Sequence, residues 1–544
     1  MFPFRPQGRL ETHTVSNQPE PRAELALWTA DEPLRRAVSR AAPGHVAAVE
    51  SFAGSIGSPE AVEDGRLANR FLPELATFDR AGRRIDEVRF HPAYHAMMRR
   101  GFAGGYAALP WTATMPGAHA AHASMVYMLT QVEPGVCCPM TMAYAAVPAL
   151  DAAPALGARW RPGLLSTEYD ARSIPADRKT GLTLGMAMTE KQGGSDLRAN
   201  TTRAEPDGTG YRLYGHKWFC SAPMCDGLLT LAQLPEGLTC FLVPRWTPDG
   251  ERNTVHLMRL KDKLGNRANA SAEIEYHAAW AERVGEPGRG IATILEMVHH
   301  TRLDTALAPA GLMRRALVEA AWWARGRQAF GRLLIDQPLM TAVLADLALD
   351  WMGALAIGMR VAEAFDRTSD DDAERAFARL AVALAKYWSN KRCGPVVLEA
   401  MECLGGVGYV EEGPMPWLYR EAPLNAIWEG SGNIVCLDAL RTIQRVPEAL
   451  EALYAELAIA AGGNHRLDLA VAAAQDRYAG GVEERDARRF VETFALLLQA
   501  SLLLRHGPAE VADAFILTRL GGDRGHTFGT LPSSIDPAPI AAMI

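Results

Sequence analysis

The stretch Gly185-Met186-Ala187-Met188-Thr189-Glu190-Lys191-Gln192-Gly193-Gly194-Ser195-Asp196 decides how the rest of the chain is read. A short apolar run ends in Thr-Glu, passes two adjacent glycines and closes on Ser-Asp, the pattern of a strand that stops and becomes a tight loop. Glycine tolerates positive φ and lets backbone N–H groups approach a ligand closely. Thr189 and Ser195 add hydroxyls. Such a loop suits a planar, hydrogen-bond-rich cofactor with a phosphate tail, although the pattern alone fits a surface hairpin loop equally.

Around this stretch, between about 180 and 280, the hydrophobic period is two. Strands are expected at 183–189, 211–219, 228–233, 239–244, 254–259 and 271–276. Turn clusters such as Pro206-Asp207-Gly208 and Thr247-Pro248-Asp249-Gly250 separate them. Successive short strands without intervening helices predict an antiparallel barrel or sandwich. No GxGxxG opens a helix, so a dinucleotide-binding βαβ unit is not expected.

The flanks read as helical. Residues 1–45 are rich in Pro, Gln, Arg and Thr and predict an extended arm. In the following segment, to 180, Val88, Tyr94 and Met98 recur at helical intervals across Asp86–Met98. Residues 119–150 are Ala- and Met-rich with almost no charge, which predicts a helix buried on most faces and interrupted at Pro134-Gly135 and Pro139. From 286 to 445 the helical period returns: Leu380, Leu384 and Trp388 share a face, and Asp370-Asp371-Asp372 supplies an acidic helix start. Residues 446–544 add Ala/Leu-rich helices and an irregular tail. The expected organisation is α+β: arm 1–45, helical domain 46–180, β-domain 181–285, helical bundle 286–445 and helical extension 446–544.

At 544 residues the chain exceeds a single core. Its 48% apolar and 22% charged composition is that of a globular protein. A net charge of −7 argues against general attraction to nucleic acid or anionic membrane. No run approaches 18 charge-free apolar residues, so no membrane span is expected, and the opening Met1–Leu10 lacks a hydrophobic signal core. Eight cysteines, with Cys137-Cys138 the only cluster and no metal-ligand spacing, suit a reduced cytoplasmic compartment and no metal.

Five pieces in order then resemble the acyl-CoA dehydrogenase family of flavoproteins. They are the opening stretch, Gly215-His-Lys217-Trp218-Phe-Cys220-Ser221, Arg327-Gln-Ala-Phe330-Gly331, Glu402-Cys-Leu-Gly405-Gly406-Val-Gly408-Tyr409 and Ile427-Trp428-Glu429-Gly430-Ser431-Gly432-Asn433. Thr12-His13-Thr14-Val15, Asn17-Gln18-Pro19 and Leu260-Lys-Asp-Lys-Leu-Gly-Asn-Arg267 are similar to the AidB-like, alkylation-response branch, which carries a C-terminal extension. The resemblance implies an N-terminal helical domain, an antiparallel β-barrel, a C-terminal four-helix bundle and FAD as cofactor.

It also implies roles. Met188 and Thr189 would bond the flavin edge, Gly194 and Ser195 would face the phosphates, and Trp218 would wall the ring beside Cys220, Ser221 and Ala222. A planar aromatic suits a flat ring; without the neighbouring motifs Trp218 reads as barrel core. Arg327 and Phe330, three residues apart and so expected on one helix face, would reach the FAD of a neighbouring subunit, with Gly405 and Gly406 near the same tail. FAD would then lie at a subunit interface of a homodimer or tetramer. Ile427, Ser431 and Asn433 complete the implied cofactor set.

Acyl-CoA dehydrogenation needs a carboxylate to remove the α-proton, preferably desolvated. Glu429 matches the family's base, between apolar Trp428 and Gly430 and close to Ile427. Some members place the base on an earlier helix, before an Arg; that position here is Thr301, before Arg302, which cannot serve. A flavin-site acid retained in a protein that no longer turns over is the alternative. The branch implies a protein that binds double-stranded DNA and protects it in the response to alkylation, with weak or residual dehydrogenase activity, the alternative being a fully active acyl-CoA dehydrogenase whose extension is structural. Arg441, Arg445 and Arg519 are the candidate DNA contacts, with Arg488 and Arg489 beside them. Yet Arg445–Ile544 holds nine Arg and no Lys against thirteen Asp and Glu, so the basic footprint expected of such a domain is missing from its composition.

Overall fold

The computed structural model describes residues 6–544; the first five residues of the expected arm lie outside it. The chain forms two compact units that are interleaved in sequence. A barrel unit comprises Glu63–Ala118 and Val132–Asp304, and a bundle unit comprises Met1–Val62, His119–Gln131 and Thr305–Ile544.

In the barrel unit, strands β1 (Glu74–Phe78) and β2 (Arg84–Arg89) pair as an antiparallel hairpin. This corrects the helical expectation for Asp86–Arg89: the helix starts only at Pro92, with His91 capping it through Ala93 N–H. The main sheet follows with β3 (Leu184–Ala187), β4 (Arg203–Asp207), β5 (Gly210–Ser221), β6 (Gly227–Leu234), β7 (Gly237–Pro244), β8 (Val255–Leu260) and β9 (Ser271–Val284). Pairing runs β6-β4-β5-β9-β7 and returns to β6, which closes a five-stranded barrel. β8 adds to β9 and β3 adds to β6; the β3–β6 and β4–β6 pairings are both parallel, the departures from an antiparallel design. Through Val243, β6 and β7 bury nearly every residue from Gly227 to Ala232 and from Leu238 onward. They therefore read as apolar runs, because both faces are covered. The barrel core is built on Leu213, Phe241, Leu257, Ile274 and Tyr276.

The bundle unit holds the helices Pro338–Phe365, Asp372–Cys403 and Gly432–Arg445, with the Gly290–Gly326 helix from Thr305 onward. Asp371 caps its helix, accepting from the N–H groups of Ala373 and Glu374, so the acidic triplet is the helix start. Leu380, Leu384 and Trp388 are all buried on that helix. Pro338–Phe365 is long and apolar enough to cross a membrane by length and composition alone, but its most apolar window is 83% buried, the mark of a core helix. A buried chain crosses the unit: Trp351 Nε1 donates to Tyr127 Oη (2.9 Å) and Tyr127 donates to Asp31 (2.7 Å).

The extension (helices Glu448–Ala458, His465–Tyr478, Ala487–His506 and Ala509–Phe515) belongs to this unit. Buried ion pairs rivet it to the bundle. Glu456 bridges Arg360 (2.8 Å) and Arg505 (2.7 Å).

Candidate functional site

In the barrel unit the 188–202 loop is built around a fully buried carboxylate. Glu190 accepts from Lys217 Nζ (2.8 Å), from the backbone N–H groups of Thr201 (2.7 Å) and Thr202 (3.1 Å), and from Gln192 Nε2 (2.6 Å). Burial alone would raise its pKa, but the Lys217 ammonium and these donors outweigh it and hold the carboxyl at about 2. Lys217, also fully buried, gives a second bond to Leu231 O (2.9 Å). Above this knot, Asn200 Nδ2 bonds Met188 O (2.9 Å) and Thr189 O accepts from the N–H of Trp218 (2.8 Å). A Cβ at Gly194 would stand 2.6 Å from Thr189 Oγ1, so glycine is what lets the loop close there. Ser195 is exposed at its rim.

β5 carries a bulge between Lys217 and Cys220. The extra residue leaves neighbouring Trp218 half-buried and Phe219 exposed, rather than on opposite faces. Trp218 Nε1 donates to Glu273 Oε1 (2.9 Å), and Lys261 Nζ lies 4.4 Å from the indole centroid. Hydrogen bonds from Arg259 and Lys261, against a burial penalty, hold Glu273 at about 2. One face of the half-buried indole is thus covered by a cation.

Cys220 could take its expected place beside the ring only through its backbone. Its thiol is sealed in the barrel core, and burial pushes its pKa up to about 12, so only its backbone can meet a ligand outside. Ser221 Oγ shares a hydrogen bond with Ser271 Oγ (3.2 Å). Ala222 is buried in the left-handed region (φ 48°).

In the bundle unit, Arg327 and Phe330 do not share a helix face. The helix stops at Gly326, and β10 (Gln328–Ala329) and β11 (Arg332–Leu333) form a short hairpin. Phe330 (φ 52°) and Gly331 (φ 77°) are both left-handed, the geometry of a two-residue hairpin turn. Phe330 is fully exposed. Arg327 Nη1 donates to Asn17 O (2.9 Å), while Asn17's side chain clasps the backbone of Gln328 on both sides. Gly405 (φ 61°) and Gly406 sit in a 3-10 turn after Cys403, with open space where side chains would stand.

Glu429 lies half-buried just before the Gly432–Arg445 helix and is itself left-handed (φ 56°), followed by Gly430 at 104°. Ile427 points outward, 63% exposed, so it gives Glu429 no apolar cover of the kind its sequence position suggested. Trp428 Nε1 donates to Asn425 Oδ1 (2.6 Å). Lys386, buried on the Asp372–Cys403 helix, donates to the carbonyls of Trp428 (2.8 Å) and Gly430 (2.6 Å), on either side of Glu429. Ser431 and Asn433 are exposed at the helix start, and Asn433 Oδ1 accepts from Arg488 Nε (2.8 Å). Thr301 is buried, its hydroxyl bonded to Val298 O.

Among the DNA candidates the structure separates two cases. Arg441 and Arg445 are exposed, one helical turn apart. Arg519 is buried, with side-chain exposure of 1%, and is paired with Asp346 (2.5 Å) and Asp350 (3.2 Å). It is a strut of the extension and is not available to a phosphate. No group of His, Cys, Asp and Glu able to hold a metal occurs among the described residues.

Sequence reasoning gave no role to Glu190, Lys217, Lys386 or Asn17. Glu190 and Lys217 stood inside motifs and could have been singled out as opposite charges, one just after the apolar run of β3 and the other within β5. Nothing local marked Lys386, which reaches two backbone carbonyls more than forty residues away.

Three family profiles match the chain: the adaptive response protein AidB N-terminal domain over residues 17–171, the acyl-CoA dehydrogenase middle domain over 185–279 and the acyl-CoA dehydrogenase C-terminal domain over 288–444. The putative acyl-CoA dehydrogenase AidB of Escherichia coli K12 is 44% identical over 522 residues, 94% of this chain and 96% of that one. The solved structure of Caenorhabditis elegans ACDH-11 in complex with C11-CoA is 26% identical, covers 98% of this chain and 92% of that one, and superposes with a TM-score of 0.84. An acyl-CoA dehydrogenase complexed with FAD from Bacillus anthracis shares the fold at 16% identity, with a TM-score of 0.67 over 88% of this chain and 84% of that one.

Proposed function

Because the chain belongs to the AidB-like branch of the acyl-CoA dehydrogenase family, whose members are FAD flavoproteins, we propose that it binds FAD and that Glu429 is the base for α,β-dehydrogenation of an acyl-CoA. The residues present fit the cofactor. Trp218 offers one indole face, Thr189 closes over Gly194 beside Ser195, and Gly405 and Gly406 leave room for a close approach to their backbone. Met188, Thr189 and Trp218 hold the ring in this proposal. Arg327 and Phe330 hold the tail across a subunit interface, in a homodimer or tetramer.

When bound, FAD supplies the acceptor for the β-hydride. Glu429 takes the α-proton, the electron pair of the Cα–H bond becomes the new Cα=Cβ bond, and the β-hydride leaves; the product is the α,β-unsaturated thioester. The proton on Glu429 then passes to solvent. The observation that carries this reading is Glu429 itself, a half-buried carboxylate fixed in a left-handed turn in the motif where the family keeps its base. Residues held in such backbone conformations cluster at functional sites.

The test is anaerobic mixing of the yellow protein with a panel of acyl-CoA thioesters. Rapid bleaching is expected, slowed about 10²–10⁴-fold in Glu429→Gln at equal flavin content. A protein that never retains flavin overturns the site assignment.

A second reading concerns DNA. The AidB N-terminal profile and the exposed Arg441–Arg445 pair support a protein that binds double-stranded DNA and protects it in the response to alkylation, with weak dehydrogenase activity. Duplex affinity falling steeply with salt, with no bleaching by any thioester, favours this second reading.

A further inference from the structure

The backbone on both sides of Glu429 is held by a single buried side chain. Lys386 is 1% exposed on the Asp372–Cys403 helix. Its ammonium donates to Trp428 O at 2.8 Å and to Gly430 O at 2.6 Å, so the carbonyls flanking Glu429 converge on one buried cation. Between them Glu429 has φ 56° and Gly430 φ 104°. A glutamate rarely adopts the left-handed region without an external constraint, because its Cβ crowds the backbone. The surrounding structure must over-determine such a residue for it to persist.

The platform behind Lys386 is itself fixed. One turn on, the Asn390 side chain donates both to Lys386 O (2.7 Å) and to Thr305 O (2.9 Å) on a second helix of the bundle unit. On the other side of the turn, Trp428 is anchored by its indole to Asn425 (2.6 Å) and by its backbone N–H to Leu424 O (3.2 Å). The carboxyl of Glu429 therefore leaves a backbone whose flanking carbonyls are both fixed on a buried cationic post.

We propose that Lys386 is a positioning residue for Glu429: by binding the carbonyls of Trp428 and Gly430 it fixes the left-handed turn that aims the carboxylate at the substrate α-carbon. This rests on Glu429 being the base. A misplacement of about an ångström in a reacting group costs on the order of 10²-fold in rate. Lys386 touches neither substrate nor cofactor in this account, so its loss acts on proton removal and leaves ligand binding largely alone.

The experiment compares wild type, Lys386→Met, Lys386→Arg and Glu429→Gln as flavin-loaded full-length proteins. Three quantities are read: flavin content, the dissociation constant for the thioester most active in wild type, and the rates of anaerobic bleaching and of exchange of the thioester α-hydrogen with deuterated solvent. Lys386→Met is expected to slow bleaching and α-exchange about 100-fold, with flavin content unchanged and thioester affinity within about threefold. Lys386→Arg, which keeps two donors, is expected to recover at least about a tenth of the wild-type rate. A Lys386→Met protein that bleaches and exchanges within threefold of wild type overturns the proposal, as does a loss confined to thioester affinity. If Lys386→Met fails to hold flavin, Lys386→Gln, which loses the charge and is too short to span both carbonyls, decides. A slowing of tenfold or more at unchanged flavin content supports the role, and a rate within threefold of wild type overturns it. Undiminished bleaching in Glu429→Gln is the separate result that removes the base assignment on which the proposal stands.

Discussion

Both units bury a lysine beside a functional segment, and the two lysines work differently. In the barrel unit, Lys217 meets Glu190, charge against charge, with both side chains fully buried. Glu190 then gathers the backbone N–H groups of Thr201 and Thr202, so one ion pair holds a whole loop. In the bundle unit, Lys386 reaches two backbone carbonyls. Buried opposite charges depend on each other, since removing one leaves the other unpaired in a low-dielectric interior. Carbonyl groups are present whatever the residue type, so a lysine that grips them sets the direction of the chain. The barrel lysine therefore matters chiefly for stability, and the bundle lysine chiefly for placement.

The largest expected effect tests the first half of that contrast. Lys217→Met strands the buried Glu190 carboxylate and is expected to cost about 3–5 kcal/mol in urea unfolding. Lys386→Met is expected to cost less, about 1–3 kcal/mol, because the two carbonyls it releases are neutral acceptors. Equal losses in the two variants would break the distinction.

Acid sharpens it further. Glu190 has a folded pKa of about 2, below the ordinary 4.5. The stability it contributes is fully present above about 4.5 and is lost as pH falls toward about 2. Wild-type urea midpoints are therefore expected to drop from pH 5 to 3, and Glu190→Gln is expected to flatten that slope. Some slope remains, because Glu273 also sits at about 2 and loses its contribution in the same window. An unchanged slope in Glu190→Gln would mean that the pair is not what fails in acid.

The same contrast explains what could be read from residues alone. Period-two patterning located the six expected strands to within a few residues, apart from the end of β9, because the strands line one core. β4 escaped, being five residues that end in the very Pro206-Asp207-Gly208 turn used as a boundary. β2 escaped because charged Arg84, Asp86, Glu87 and Arg89 hide its alternation. Within the site, Trp218 and Glu429 were legible because their side-chain types carry chemistry. Lys386 was not, since a lysine on a helix ordinarily reads as solvated surface and the two carbonyls it reaches are backbone atoms. The i,i+3 spacing of Arg327 and Phe330 suggested a helix face, whereas Gly326 and Gly331 were the signals of a hairpin. Arg519 misled for a related reason: its carboxylate partners, Asp346 and Asp350, lie about 170 residues upstream.

The smallest effect on stability, and the sharpest on partner choice, is expected from the exposed arginines. Arg441 and Arg445 are exposed on one face of a helix, so charge reversal to Glu at both is expected to shift stability by no more than about 0.5 kcal/mol. If duplex DNA binds there, the double variant should lose affinity roughly uniformly across sequences. The slope of log affinity against log salt should also fall by about one for each phosphate contact removed. Arg519 supplies the opposite control. Removing it breaks the pairs to Asp346 and Asp350 and is expected to lower stability, while a folded Arg519→Lys protein should keep both its duplex affinity and its salt slope. A duplex affinity that ignores Arg441 and Arg445 but follows Arg519 would reverse the assignment, since it would place the nucleic acid against a residue that the fold buries.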